Sequence, residues 1–96
     1  MGQRDQRATL QGAGMSLNAA AVAGAAADTN IAVTGIKVGD IIVAAFELQP
    51  PTAGSGGAVK STLTAEIKLL SDGNIQCDTT NTTGNQILLL WIAVGH

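Results

Sequence analysis

The chain of 96 residues holds one cysteine (Cys77), one histidine (His96), two prolines (Pro50 and Pro51) and two aromatic side chains (Phe46 and Trp91). Each scarcity removes an explanation. A single thiol excludes an internal disulfide, so a small core must be stabilised by other means. One histidine at the last position, with acids scattered singly, leaves no nucleophile–base pair and no metal-ligand set; neither an enzyme nor a cofactor is expected. Two aromatics offer no stacking platform for bases. Five Lys and Arg against seven Asp and Glu, a formal charge of −2, give no basic stripe, so nucleic acid is not an expected partner. The longest strongly apolar run, Ile87 to Val94, falls far short of the roughly 20 residues a membrane helix needs. The alanine-rich stretch Ala19 to Ala27 follows Arg4 and Arg7 as a signal-peptide core would, but alanine and glycine make a weak core, and Asp5 and Asn18 interrupt its flanks. Gln6 stands where N-myristoylation requires Ser or Thr.

What is abundant is apolar surface. Apolar residues make up 46% of the chain and charged ones only 12%, which excludes a disordered protein and leaves little charge to solvate a free surface. The size indicates one domain burying about 60–65% of its unfolded surface, a marginal core for a lone subunit. Assembly with other protein is the expected source of further stability.

Along the chain, the first residues are polar and glycine-punctuated, without a hydrophobic period. Residues 1–15 read as a flexible N-terminal arm, and residues 16–96 as one β domain. In Asn18 to Ala26, alanine favours helix, but Gly24 and the β-branched segment that follows (NIAVT, then IKVGD) favour strand. Asp40 to Leu48 (DIIVAAFEL) reads as strand. Gln49 to Ala58 (QPPTAGSGGA) reads as an exposed loop, because two prolines remove amide donors and three glycines free the backbone. Leu63, Ala65, Ile67 and Leu69 alternate with Thr64, Glu66 and Lys68, the pattern of a half-buried strand. Ser71-Asp72-Gly73-Asn74 supplies hairpin chemistry, and Ile75 and Cys77 continue an apolar face. Ile87 to Val94 (ILLLWIAV) is apolar on both faces, as is Ile41 to Phe46; such strands must be covered on both sides. The fold class expected is all-β, a compact antiparallel β-sandwich or small barrel.

Two stretches imitate chemical sites. Asp72, Asn74, Gln76 and Asp78 match the first alternate positions of a calcium loop, but Cys77 stands where glycine is required and Thr83 where a bidentate glutamate belongs. GSGGAVKS imitates a phosphate-binding loop, but Val59 replaces the glycine before Lys60 and a strand follows. Asn81-Thr82-Thr83 matches a glycosylation acceptor, and without a secretion signal it reads as turn residues.

Two segments carry a resemblance: Thr29 to Asp40, of the pattern TNI-V-GI-VGD, and Asp72 to Trp91, of the pattern DG-IQ--T--TTG--LL--W. Over Asn18 to Val94 the chain resembles small structural proteins of tailed bacteriophages, most closely capsid decoration or cement proteins. The resemblance implies a virion protein on the outer capsid surface, bound as a homotrimer to the major capsid protein and stabilising the head against internal pressure. On that reading Ile87, Leu88, Leu89, Leu90, Trp91, Ile92 and Phe46 form the trimer interface or core, and Arg4, Arg7 and Leu10 touch the capsid. Two alternatives stand: a head-fibre or tail accessory β module binding host carbohydrate through Pro50 to Ala58, and a tail-tube or baseplate subunit.

Overall fold

The computed structural model describes residues 14–54 and 56–94. They form seven strands: β1 (Met15–Ala23), β2 (Ile31–Ala32), β3 (Ile41–Gln49), β4 (Ala58–Thr62), β5 (Ile67–Ser71), β6 (Asn74–Cys77) and β7 (Gln86–Val94). Two antiparallel sheets result, one ordered β1-β7-β3-β4 and the other β2-β6-β5. The all-β class read from the pattern is what the chain adopts. Ile31, Ile75 and Cys77 of the smaller sheet share one buried core with Ala45, Ile87, Leu89 and Trp91 of the larger.

The strand read over Asn18 to Ala26 lies three residues earlier, with Met15 already inside it. Gly24 explains where it stops. A Cβ at this position would stand 2.2 Å from the main-chain oxygen of Thr82. Thr82 is fully buried and doubly tied: its Oγ1 accepts from the Ala25 amide at 3.0 Å, and its own amide donates to Ala25 O at 2.9 Å. The chain leaves β1 by pressing its backbone onto this loop, which only glycine allows. Gly24→Ala is expected to cost about 2 kcal/mol by overpacking, a fall in Tm of roughly 10 °C for a domain this size. A thermal melt unchanged from wild type would remove Gly24 from this role.

The regular alternation from Leu63 to Leu69 is not one strand. Thr64–Glu66 forms a single 3-10 turn between β4 and β5. The reason is topological, since β4 belongs to the larger sheet and β5 to the smaller, and the chain must cross between them. Leu63 remains buried, its amide donating to Ala45 O at 2.7 Å, while Ala65 is exposed. The hairpin at Ser71–Asn74 forms as read, with those two residues paired and Gly73 at φ 80°, where a side chain would be strained.

The two segments that carry the resemblance meet in space. Val33 N–H donates to Gly73 O at 2.9 Å, Gly73 N–H to Ile36 O at 2.7 Å, and Val38 N–H to Asp72 Oδ1 at 2.9 Å, while Ile31 pairs with Ile75. Their turn residues therefore build one docking contact, with Ile36 and Val33 buried beneath it.

Candidate functional site

The sites imitated in sequence serve as structure. Asp72 accepts from Val38, Gln76 Nε2 donates to Asn30 Oδ1 at 2.8 Å, and Asp78 faces Lys68 across 3.4 Å. Lys68 also grips Asp28, and these contacts raise its pKa, the Asp28 hydrogen bond most. Cys77 is fully buried, and burial raises its thiol pKa, with Glu66 and Glu47 adding to the effect. It packs as an apolar group, not as a thiolate. Lys60-Ser61 lies in β4, not ahead of a helix.

Glu47 is a buried carboxylate that alternation alone does not announce. It accepts from Ser61 Oγ at 2.9 Å and Asn85 Nδ2 at 2.7 Å, with Lys60 Nζ 4.0 Å away, so its charge is met by hydrogen bonds inside the fold. It ties β3 to β4 and to the loop before β7. Glu66 does a similar task at the sheet crossing, accepting from Thr80 N–H at 2.9 Å, Thr80 Oγ1 at 2.8 Å and Thr79 Oγ1 at 3.5 Å. Partial burial pushes its pKa up, and these hydrogen bonds outweigh that, leaving the carboxyl below its ordinary range. A lowered folded pKa means the contribution is complete above the unfolded value and is lost as pH falls through the folded one. Melting temperatures from pH 7 down to pH 3 are therefore expected to fall more steeply for wild type than for Glu66→Gln; equal slopes would show that Glu66 contributes nothing to acid sensitivity.

The feature without a structural explanation inside the chain is the outer face of the larger sheet. In β7, Ile87, Leu89, Trp91 and Ala93 are buried, while Leu88, Leu90 and Ile92 point the other way and are half-buried. Cross-strand pairs extend that face as rows: Leu17, Ile92 and Ile41; Ala19, Leu90 and Ala44; Ala21, Leu88 and Phe46. Leu17 is 57% exposed, Ile41 50% and Val59 59%. In the four strands of this sheet the only ionisable side chains are Glu47, buried, and Lys60, on the short edge strand β4. Apart from scattered polar positions, this open face is continuous and apolar.

Burial separates the residues that the sequence leaves together. Ile87, Leu89 and Trp91 are core; Leu88, Leu90, Ile92 and Phe46 belong to the open face. Phe46 is there because β3 carries a bulge, with Ile42 opposite Trp91 but Ala44 opposite Leu90, so Val43 is an extra residue. The bulge turns Phe46 outward and Glu47 inward. Ile41 and Val43 fall in the stretch read as apolar on both faces, whereas Leu17 and Val59 carry no such signal in the sequence beyond the alternation of Leu17 with Ser16 and Asn18. Arg4, Arg7 and Leu10 lie outside the described residues, as does His96.

Under the proline–glycine loop lies a hollow of about 610 Å³ lined by Leu48, Pro50, Pro51, Val59, Gln49 and Gln86 among others. Among the described residues its only polar side chains are the two glutamine amides, and it has no aromatic ring on which a sugar could stack. No family model, curated protein or solved structure matches this chain.

Proposed function

We propose that the protein is a capsid decoration or cement protein, which binds the outer surface of a tailed-bacteriophage head as a homo-oligomer and holds neighbouring capsomers together. The observation that carries this reading is the uncharged outer face of the larger sheet, which asks for a protein cover. The resemblance through Thr29–Asp40 and Asp72–Trp91 supplies the head surface as the kind of partner, and three copies as the expected count.

The mechanism requires no chemistry. A standard interface buries about 800 Å² per partner, and one such contact is readily reversible at low concentration. Linked copies that seat on adjacent capsomers convert the later contacts into intramolecular ones, raising overall affinity by roughly 10²–10⁴ without any new contact. Outward pressure on the shell then works against several contacts at once.

The test is co-sedimentation of the purified protein with undecorated heads built from the capsid protein of the same genome. Saturable binding at a fixed copy number per head, with increased resistance of the heads to heat, is expected. A stable single subunit that never binds heads would overturn the reading. The carbohydrate-binding alternative draws no support from the aromatic-free hollow beside Pro50 and Pro51.

A further inference from the structure

Three of the four sheet edges are built to discourage further pairing. Strand β2 has two residues, while β4 and β5 have five each, with a lysine and a register shift against the neighbouring strand. Strand β1 has none of these devices. It runs for nine residues, MSLNAAAVA, in unbroken register with β7, and among the described residues no strand lies on its other side. Gly24 N–H continues that ladder, donating to Asn85 O at 2.9 Å. By alternation Ser16, Asn18, Ala20 and Val22 turn their main-chain groups to β7, and Leu17, Ala19 and Ala21 turn theirs to the open edge. Such an edge accepts any strand, so its occupant has to be identified by other features.

We infer that residues 4–11 of the same chain fill this edge, folding back through Gly12, Ala13 and Gly14 to lie antiparallel on β1 as a fifth strand of the larger sheet. The junction points to it first. Gly14 lies in a turn at φ 73° directly before Met15, and a Cβ there would meet nothing, so the backbone and not crowding asks for glycine. The favoured two-residue hairpin turns need a positive φ at the first loop position, which would be Ala13. A three-residue loop needs the left-handed residue third, where Gly14 stands. That loop pairs Gln11 with Met15 and sets the register as far as Arg4 with Val22. The side-chain pattern agrees. In this register Ala8 and Leu10, the only apolar residues of 4–11, stand beside Asn18 and Ser16, over a groove of about 440 Å³ whose lining includes those two residues, Thr34, Trp91 and Ala93. Gln6 and Arg4 follow on the same side, beside Ala20 and Val22. Asp5, Thr9 and Arg7 fall on the other side, which places Arg7 beside Ala19 at the border of the open apolar face. The tether completes the case. A three-residue link holds the segment at an effective concentration on the order of millimolar, above that of a separate chain at micromolar concentration.

The hairpin goes beyond the assembly reading and does not depend on it. Its test is residue-resolved amide exchange by NMR on the whole chain. The amides of Leu17, Ala19 and Ala21 are expected to exchange about tenfold more slowly in wild type than in a chain carrying Arg7→Pro and Thr9→Pro, which removes the two donors that face Ala19 and Leu17. Asn18, Ala20 and Val22 should exchange equally in both chains, because their partners lie in β7. Wild type should also show nuclear Overhauser contacts between the Cα protons of Leu10 and Ser16, and of Ala8 and Asn18, independent of protein concentration. Equal exchange of Leu17, Ala19 and Ala21 in the two chains overturns the hairpin. So do Leu10 to Ser16 contacts that isotope-filtered spectra of mixed labelled and unlabelled protein find only between copies, since the segment would then belong to a neighbour's edge.

Discussion

Leu90→Lys is expected to abolish face-mediated assembly while leaving the subunit folded. Leu90 sits in the middle of β7 with Ala19 and Ala44 on either side, at the centre of the open apolar face, and its side chain takes no part in the core. A lysine here reaches water in the free subunit. In an assembled face its ammonium would be buried without a partner, at a cost of several kcal/mol. Every 1.4 kcal/mol is a tenfold change, so a weakening of roughly 10²–10³ in head binding follows. The measurement is head co-sedimentation beside a thermal melt. Undiminished binding would show that this face is not the contact.

The second large effect belongs to the opposite side of the same strand. Trp91 is 3% exposed and packs in the core between Asn18 of β1 and Ile42 of β3. Trp91→Ala is expected to cost about 3–5 kcal/mol through lost burial and the cavity left behind. Against a total of about 5–15 kcal/mol, that leaves the subunit barely folded at room temperature. The indole N–H is buried and finds no acceptor among the described residues, so part of what the side chain gives is offset by an unpaired donor. Trp91→Phe should therefore be far milder than the alanine variant. Urea melts of the three chains decide the matter: equal midpoints for wild type and Trp91→Ala would remove Trp91 from the core.

These two neighbours show how far the sequence could be read. Ile87 to Val94 displays two apolar faces, which says that both must be covered, but period two is symmetric and does not say which face turns inward. The answer depends on the strands at either side. Phe46 was hidden for a different reason. Strict alternation groups it with Ile42, and only the extra residue at Val43, a matter of pairing with β7, separates them. The alternation of Leu63 to Leu69 misled because it continues through a point where the chain changes sheets. The hairpin at Asp72-Gly73 was legible since its chemistry is local. Its docking onto Val33, Ile36 and Val38 was not, because those contacts span more than thirty residues.

The added residue in β3 also sets how the gene can change length. An in-frame loss of the codon for Val43 merely straightens the strand: Ile42 stays opposite Trp91, Ala44 stays opposite Leu90, and every later side chain keeps its side. Strand β7 contains no such slack, so loss of the codon for Leu90 turns half of it over, exposing Trp91 or Leu89 to water. The shortened β3 chain should fold and melt cooperatively near the parental temperature, whereas the shortened β7 chain should not fold at all; a reversed ranking in circular-dichroism melts would contradict this account of the bulge.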